Sequence, residues 1–162
     1  MREGLRLPSV ELPATTGGSI DLSTLEERAL LVLYPWTGRP GTPNPPRWDD
    51  IPGAHGSTPE LEGFRDSAER FENAGIAIFG LSRQDTAWQR ELAERLSLSF
   101  PLLSDVDDKL WPALGAPTFE TGGEIYLKRA TLLVENGQVA AVFADIADPA
   151  GHATDLLQRL LG

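Results

Sequence analysis

A chain of 162 residues without a single cysteine must draw any chemistry from hydroxyls, carboxylates, guanidiniums and imidazoles. Disulfides, thiolate metal sites and thiol redox cycling are closed to the molecule as it stands. His55 and His152 lie far apart, and neither sits in an H-x-x-x-H or H-E-x-x-H frame, so no histidine-based metal site is indicated. Asp105, Asp107 and Asp108 resemble a cation loop only in outline. Lacking the glycine and distal glutamate of such a loop, they read as a turn and helix cap. The hydroxyl of most interest is Ser57. His55 precedes it by two residues and would be the base of a hydrolase, but His55-Gly56-Ser57-Thr58-Pro59 is not the G-x-S-x-G elbow. Ser57-Thr58-Pro59-Glu60 has the form of a capping box, with Glu60 reaching back to the Ser57 amide. Arg129, taken alone, reads as a surface cation paired with one of many acids.

Charge narrows the partners. Fourteen Lys and Arg against 24 Asp and Glu leave a formal charge of -10, which repels phosphate backbones and anionic lipid. Neither nucleic acid nor an acidic membrane is an expected partner. Met1–Val10 carries two arginines and one acid but no apolar stretch of signal-peptide length, and no later segment approaches a membrane-spanning run. A cytoplasmic protein is expected, and the length suits one domain over residues 1–162.

These side chains need a scaffold, and the periodicity supplies it. Residues 5–23 are short apolar pieces broken by Pro8, Pro13 and Gly17-Gly18, a hairpin signal. Ala29–Tyr34 is apolar without alternation, as in a strand covered on both faces. Residues 35–56 hold six prolines and four glycines, which exclude a helix or central strand. With Trp36 and Trp48 inside it, this loop is either a functional segment packed on the body or a plain surface insertion. After Ser57 the period turns helical. Leu61, Phe64, Ala68 and Phe71 form one stripe, with Glu60, Arg65, Asp66, Glu69 and Arg70 off it, predicting a helix over 58–73 that stops at Asn73-Ala74-Gly75.

Ile76–Leu81 follows as a buried strand, and Asp85–Leu96 as a helix with Ala87, Trp88, Leu92 and Leu96 on one side. Phe100–Leu103 reads as a short strand and Val106–Leu114 as a short helix closed by Gly115 and Pro117. Ile125–Leu127, Ala130–Glu135 and Gln138–Phe143 read as strands, the last two joined by Asn136-Gly137, the strongest hairpin signal in the chain. Pro149–Leu161 closes as a helix with Leu156, Leu157, Leu160 and Leu161 on its apolar side. Trp88 and Trp111 read as core or interface aromatics. Alternating strands and helices imply parallel connections, and the terminal hairpin makes the sheet mixed. The layout is α/β and similar to the thioredoxin fold, with an N-terminal β-hairpin extension.

Ile51–Asp66, IPGAHGSTPELEGFRD, resembles the active-site segment of peroxiredoxins related to bacterioferritin comigratory protein, the peroxiredoxin Q branch, whose pattern runs P-G-C-T-x-x-x-x-x-F-R-D. Thr58 and Phe64-Arg65-Asp66 match in register, whereas Pro52-Gly53 lies a few residues early. Residues 35–50 are similar to a proline-rich insertion found before the cysteine in a divergent branch. Strand order, Ser104-Asp105 and Arg129 ahead of a strand extend the likeness over the whole chain. The resemblance implies a thioredoxin-like fold, antioxidant reduction of hydrogen peroxide or alkyl hydroperoxides, a thioredoxin-like thiol reductant as partner, and no cofactor. It places the peroxidatic cysteine at Ser57, with Thr58 beside it and Arg129 as the thiolate-stabilising arginine. A resolving cysteine five positions on would fall at Glu62.

Serine is far less acidic than a thiol and has no sulfenic state, so the chain as written is expected to be inactive. It is either an engineered cysteine-to-serine variant or a natural cysteine-less homologue. The residue three before Ser57 is Ala54, so the family's upstream proline and threonine are out of register, and Thr37 is a residue that the looped insertion could return to the site. A non-catalytic binding or regulatory module on the same fold, using residues 35–56 as its contact surface, is the alternative. Monomer and homodimer are both compatible with the composition.

Overall fold

The structure, a computed structural model, describes residues 1–162. Along the chain run β1 (Leu12–Pro13), β2 (Ser19–Ile20), β3 (Arg28–Leu33), α1 (Ser57–Asn73), β4 (Ile76–Ser82), α2 (Thr86–Leu96) and β5 (Leu102–Ser104). They are followed by α3 (Trp111–Leu114), β6 (Thr118–Thr121), β7 (Glu124–Leu127), β8 (Ala130–Glu135), β9 (Gln138–Phe143) and α4 (His152–Leu161). Five strands make one mixed sheet in the order β5-β4-β3-β8-β9. β3 pairs parallel with β4 and β4 with β5, whereas β8 runs antiparallel to both β3 and β9. β1 and β2 form the expected N-terminal hairpin.

The uninterrupted apolar run of β3 follows from its central place. Ala29, Leu31 and Leu33 face one side of the sheet and Leu30, Val32 and the adjoining Tyr34 the other, and both sides are covered. On the second side α1, α2 and α4 bury Leu61, Phe64, Phe71, Leu92, Leu96 and Leu156. The first side has no long helix. There the N-terminal segment crosses the sheet from edge to edge, Arg6 bridging Gln138 of β9 and Ala14 bridging Leu103 of β5. Leu7, Leu12 and Ala14 thereby complete a core with Leu110, Leu114 and Leu127. At the β8–β9 turn Asn136 and Gly137 both take positive φ, 53° and 72°, as a two-residue hairpin with the strands' own twist requires.

Several local expectations change. Of Val106–Leu114 only Trp111–Leu114 is helical, because the buried Asp105 carboxylate gathers the amides of Lys109, Leu110 and Trp111 at 2.7–3.1 Å and holds the preceding residues in turns. Asp105 thus holds a turn, whereas the cap position of α3 is Leu110 and carries no side-chain cap. Strand β6, absent from the sequence reading, pairs with β7 across Gly122-Gly123. The buried face of α2 is Gln89, Leu92 and Leu96, with Ala87 in solvent, since Asp85 starts the helix as its N-cap and sets a different rotation. Pro149–Gly151 is a 3-10 turn ahead of α4, and Leu161 is exposed while His152 and Ala153 occupy the buried face.

Candidate active site

The site forms where α1 begins. Gly56 precedes the helix at φ 113°, a conformation open to glycine, and a Cβ there would lie 2.8 Å from Pro149 Cγ. Helix α1 therefore starts one residue earlier than predicted, at Ser57, with the first backbone bond running from the Glu60 amide to the Gly56 carbonyl. The amides of Ser57 and Thr58 fall in the first turn, where no intrahelical acceptor exists and the helix dipole is positive. Pro59 has no amide to leave unpaired. The capping-box reading fails here. Gly56 takes the cap position without any side-chain cap, and the Glu60 carboxyl turns inward.

What draws Glu60 inward is Arg129. This arginine sits directly before β8, whose first residue pairs with Leu33 at the C-terminal end of β3, the same end of the sheet at which α1 begins. It is buried, not a surface cation. Its Nη1 donates to Glu60 Oε1 at 3.0 Å, and its Nη2 donates to Ser57 Oγ at 3.2 Å, His55 O at 3.1 Å and Gly53 O at 3.3 Å. Ser57 and Glu60 are almost wholly enclosed, 3% and 0% exposed. Burial pushes the Glu60 carboxyl up to about 7 against the pull of Arg129, so it changes charge near neutrality. His152, at the start of α4, bonds Thr131 Oγ1 through Nε2 at 2.9 Å and meets Phe64 edge-on. Burial depresses it to about 4 and keeps it neutral.

Residues 35–56 cover this corner and are clamped from two sides. Trp48, 4% exposed, packs on Phe119 of β6 and Tyr126 of β7 at 5.7 and 5.1 Å, and the Thr121 hydroxyl donates to Pro46 O. At the other end Trp88 Nε1 donates to Thr37 O at 2.8 Å, and the Arg39 guanidinium lies 4.1 Å over the Trp88 ring. Thr37 does not return to Ser57, because its amide and hydroxyl are both spent on Gln84 Oε1. Ala54 is buried and lines the cleft. His55 is exposed and pairs with Asp49 at 2.5 Å, while Glu62 faces Arg65 at 3.9 Å and lies outside the cleft. No group of three or more His, Asp or Glu side chains is placed to hold a metal ion. A larger cavity of about 480 Å³ between the end of β9 and α4 is not lined by Ser57, Glu60 or Arg129.

The AhpC/TSA family pattern matches residues 51–142, the stretch from the loop before Ser57 to the end of β9. The chain belongs to the AhpC/TSA family. Among AhpC/TSA relatives, a chloroplastic peroxiredoxin Q of Oryza sativa subsp. japonica is 28% identical over 98% of this chain, and the chain spans 66% of that protein's length. A Coxiella burnetii protein named peroxiredoxin bcp is also 28% identical, over 97% of both chains. The crystal structure of peroxidoxin BcpB from Mycobacterium tuberculosis superposes with a TM-score of 0.77 at 26% identity, covering 100% of this chain and 99% of that one. The thioredoxin-like fold and the likeness to peroxiredoxin Q and bacterioferritin comigratory protein read from Ile51–Asp66 are both borne out.

Within this AhpC/TSA fold Arg129 meets Ser57, Thr58 lines the cleft beside Ser57, and Glu62 lies outside it. Glu60 is the residue that reading missed as a member of the site. A signal was available, since Glu60 falls three after Ser57 and four before Phe64, on the buried face of α1.

Proposed function

We propose that this corner is the pocket of a thiol peroxidase in which Ser57 occupies the place of the reacting cysteine. The observation that carries the reading is the Arg129 Nη2 contact to Ser57 Oγ at the N-terminus of α1. A thiol there would meet free amides, the positive end of a helix dipole and a guanidinium, three influences that favour the thiolate. The thiolate would attack the terminal oxygen of a hydroperoxide. The O–O bond breaks, the alkoxide or hydroxide leaves and takes up a proton, and sulfur is oxidised by two electrons to sulfenic acid. A thiol reductant then forms a disulfide with release of water, and a second thiol restores the cysteine. Since position 62 is glutamate, both thiols must come from outside the chain.

The serine-bearing chain cannot perform the first step, because its hydroxyl stays protonated and cannot cycle through a sulfenic state. Thr58 lines the cleft beside Ser57 and is assigned to the peroxide-facing wall. We place the protein, as one domain with an insertion at 35–56, in the cytoplasm as a monomer or homodimer. No helix is long and apolar enough to cross a membrane. The loop as a free contact surface is disfavoured by the burial of Trp48.

The test is Ser57→Cys. The variant is expected to fold like the unaltered chain, to titrate its thiol below the ordinary value of about 8.5, to label with a sulfenic-acid reagent after peroxide, and to consume peroxide with a thiol donor. A folded variant that forms no sulfenic acid would show that the reading is wrong.

A further inference from the structure

Thr37 is a buried loop residue, and every polar group it owns is used. Its amide and hydroxyl donate to Gln84 Oε1 at 3.2 and 3.0 Å. Its carbonyl accepts from Gln84 Nε2 at 3.0 Å and from Trp88 Nε1 at 2.8 Å. Gln84 thus gives Thr37 both the acceptor and the donor that a neighbouring strand would give. The amide fits one way round only, since a flip would set its NH2 against the Thr37 N–H and its oxygen against the Thr37 carbonyl.

The residues on either side of Thr37 turn to the cleft. Trp36 and Gly38 both line the cavity of about 230 Å³ onto which Ser57 opens, and a Cβ on Gly38 would meet the Trp36 ring at 3.3 Å. Gln84 does not line that cavity. It sits between β4 and Asp85, the N-cap of α2, with its carbonyl accepting from Ser104 Oγ at 2.6 Å. Its amide rests on Ser82 Oγ, which Gln89 Nε2 fixes from the core at 3.0 Å. One side chain therefore carries the rigidity of sheet and α2 out to the loop wall. A second tie at this end, from Arg95 Nη2 to Gly38 O at 2.9 Å, is exposed, where water competes for both groups.

We propose that Gln84 is a positioning residue of this site. By pinning Thr37 it holds Trp36 against the cleft and limits how large a thiol reaches position 57. The proposal rests on the peroxidase reading above, in which both reducing thiols come from outside the chain.

Gln84→Met keeps the length of the side chain and removes its donor and acceptor. Each lost bond is worth about a factor of five in local opening. In the serine-bearing chain, exchange of the Trp88 indole N–H, whose partner Thr37 O is set free to move, is expected to quicken at least about fivefold. The Leu110 amide, held by Asp105, is expected to exchange as before. In the Ser57→Cys chain, the rate of labelling by fluorescein maleimide relative to iodoacetamide is expected to rise at least about fivefold when Gln84→Met is added. The pH midpoint of the iodoacetamide reaction, set by Arg129 and the start of α1, is expected to stay in place. After oxidation by hydrogen peroxide, the ratio of the rate of reduction by thioredoxin to that by 2-mercaptoethanol is expected to rise by a similar factor. Gln84→Glu retains the acceptor for the Thr37 amide and hydroxyl and is expected to fall between the two, while Arg95→Ala leaves both ratios unchanged. Should Gln84→Met not fold, Gln84→Glu carries the same test. Either ratio unmoved in a folded Gln84 variant, or a pH midpoint that shifts with it, overturns the proposal. If Ser57→Cys forms no sulfenic acid, the peroxidase reading fails instead, and the indole exchange and the labelling ratio still decide whether Gln84 holds the wall.

Discussion

Replacing Arg129 by methionine removes a buried charge while keeping most of the side-chain volume. Four hydrogen bonds go with it, to Glu60 Oε1, Ser57 Oγ, His55 O and Gly53 O. Breaking one partner of a buried ion pair typically costs about 3–5 kcal/mol. The low end is expected at pH 6, about 3 kcal/mol, because Glu60 already sits near 7 and can discharge itself by holding a proton. At pH 8 the loss grows. Unfolded Glu60, with an ordinary value of 4.5, is ionised at both pH values. In the folded chain with Arg129 it releases its proton across pH 7, whereas without the guanidinium it keeps that proton to higher pH. A proton held only by the folded state lowers stability by about 1.4 kcal/mol per pH unit. Arg129→Met is therefore expected to cost about 1 kcal/mol more at pH 8 than at pH 6 in urea unfolding followed by tryptophan fluorescence. Adding Glu60→Gln should remove that pH dependence and recover part of the loss, since the coupling lies between the two residues. A loss under about 1 kcal/mol, equal at both pH values, would refute the reasoning.

Three further outcomes follow from the same structure. Glu60, raised to about 7 from 4.5, makes stability fall as pH rises through that window, whereas His152, lowered to about 4 from 6.5, makes it rise between those values. Urea midpoints between pH 4.5 and 6.5 should therefore climb in Glu60→Gln and decline in His152→Gln, and parallel slopes in the two variants would contradict the assignment. Gly56→Ala forces a Cβ to within 2.8 Å of Pro149 at φ 113°, and a loss of about 2–3 kcal/mol is expected in thermal unfolding. A loss of a few tenths would show that the 3-10 turn at Pro149 yields instead. Asp105→Ala strips the amides of Lys109, Leu110 and Trp111 of their acceptor, so a loss of about 2 kcal/mol with faster hydrogen exchange at those three amides is expected. Unchanged exchange there would mean that the turn is held by other contacts.

What could be read from the sequence was what is local. The run of β3, the stripe of α1 and the Asn136-Gly137 turn are each decided by neighbours within one or two turns of chain, and each was found. The site was legible only through its likeness to a known active-site segment, since Ser57 and Arg129 are 72 residues apart and no spacing rule connects them. Glu60 shows how a local pattern misleads. Ser57-x-x-Glu60 satisfies the capping-box form, but Gly56 already holds the cap at a positive φ and the guanidinium offers the carboxylate a better partner. Strand β6 escaped notice because its four residues gain their identity from pairing with β7. The packing of residues 35–56 was equally hidden, because the direction of Trp48 is set by Phe119 and Tyr126, over seventy positions later.

That separation along the chain bears on biogenesis. A nascent polypeptide emerges from the N-terminus, so α1 is exposed well before residue 129 exists, with the Glu60 carboxyl lacking its counter-charge. Only when β8 zips against β3 can the guanidinium arrive, and closing a loop of this length makes that step late. Chains truncated ahead of Arg129 would carry the helix with Ser57 and Glu60 unmet by the guanidinium, and the moment of vulnerability to misassembly falls in the interval between the two.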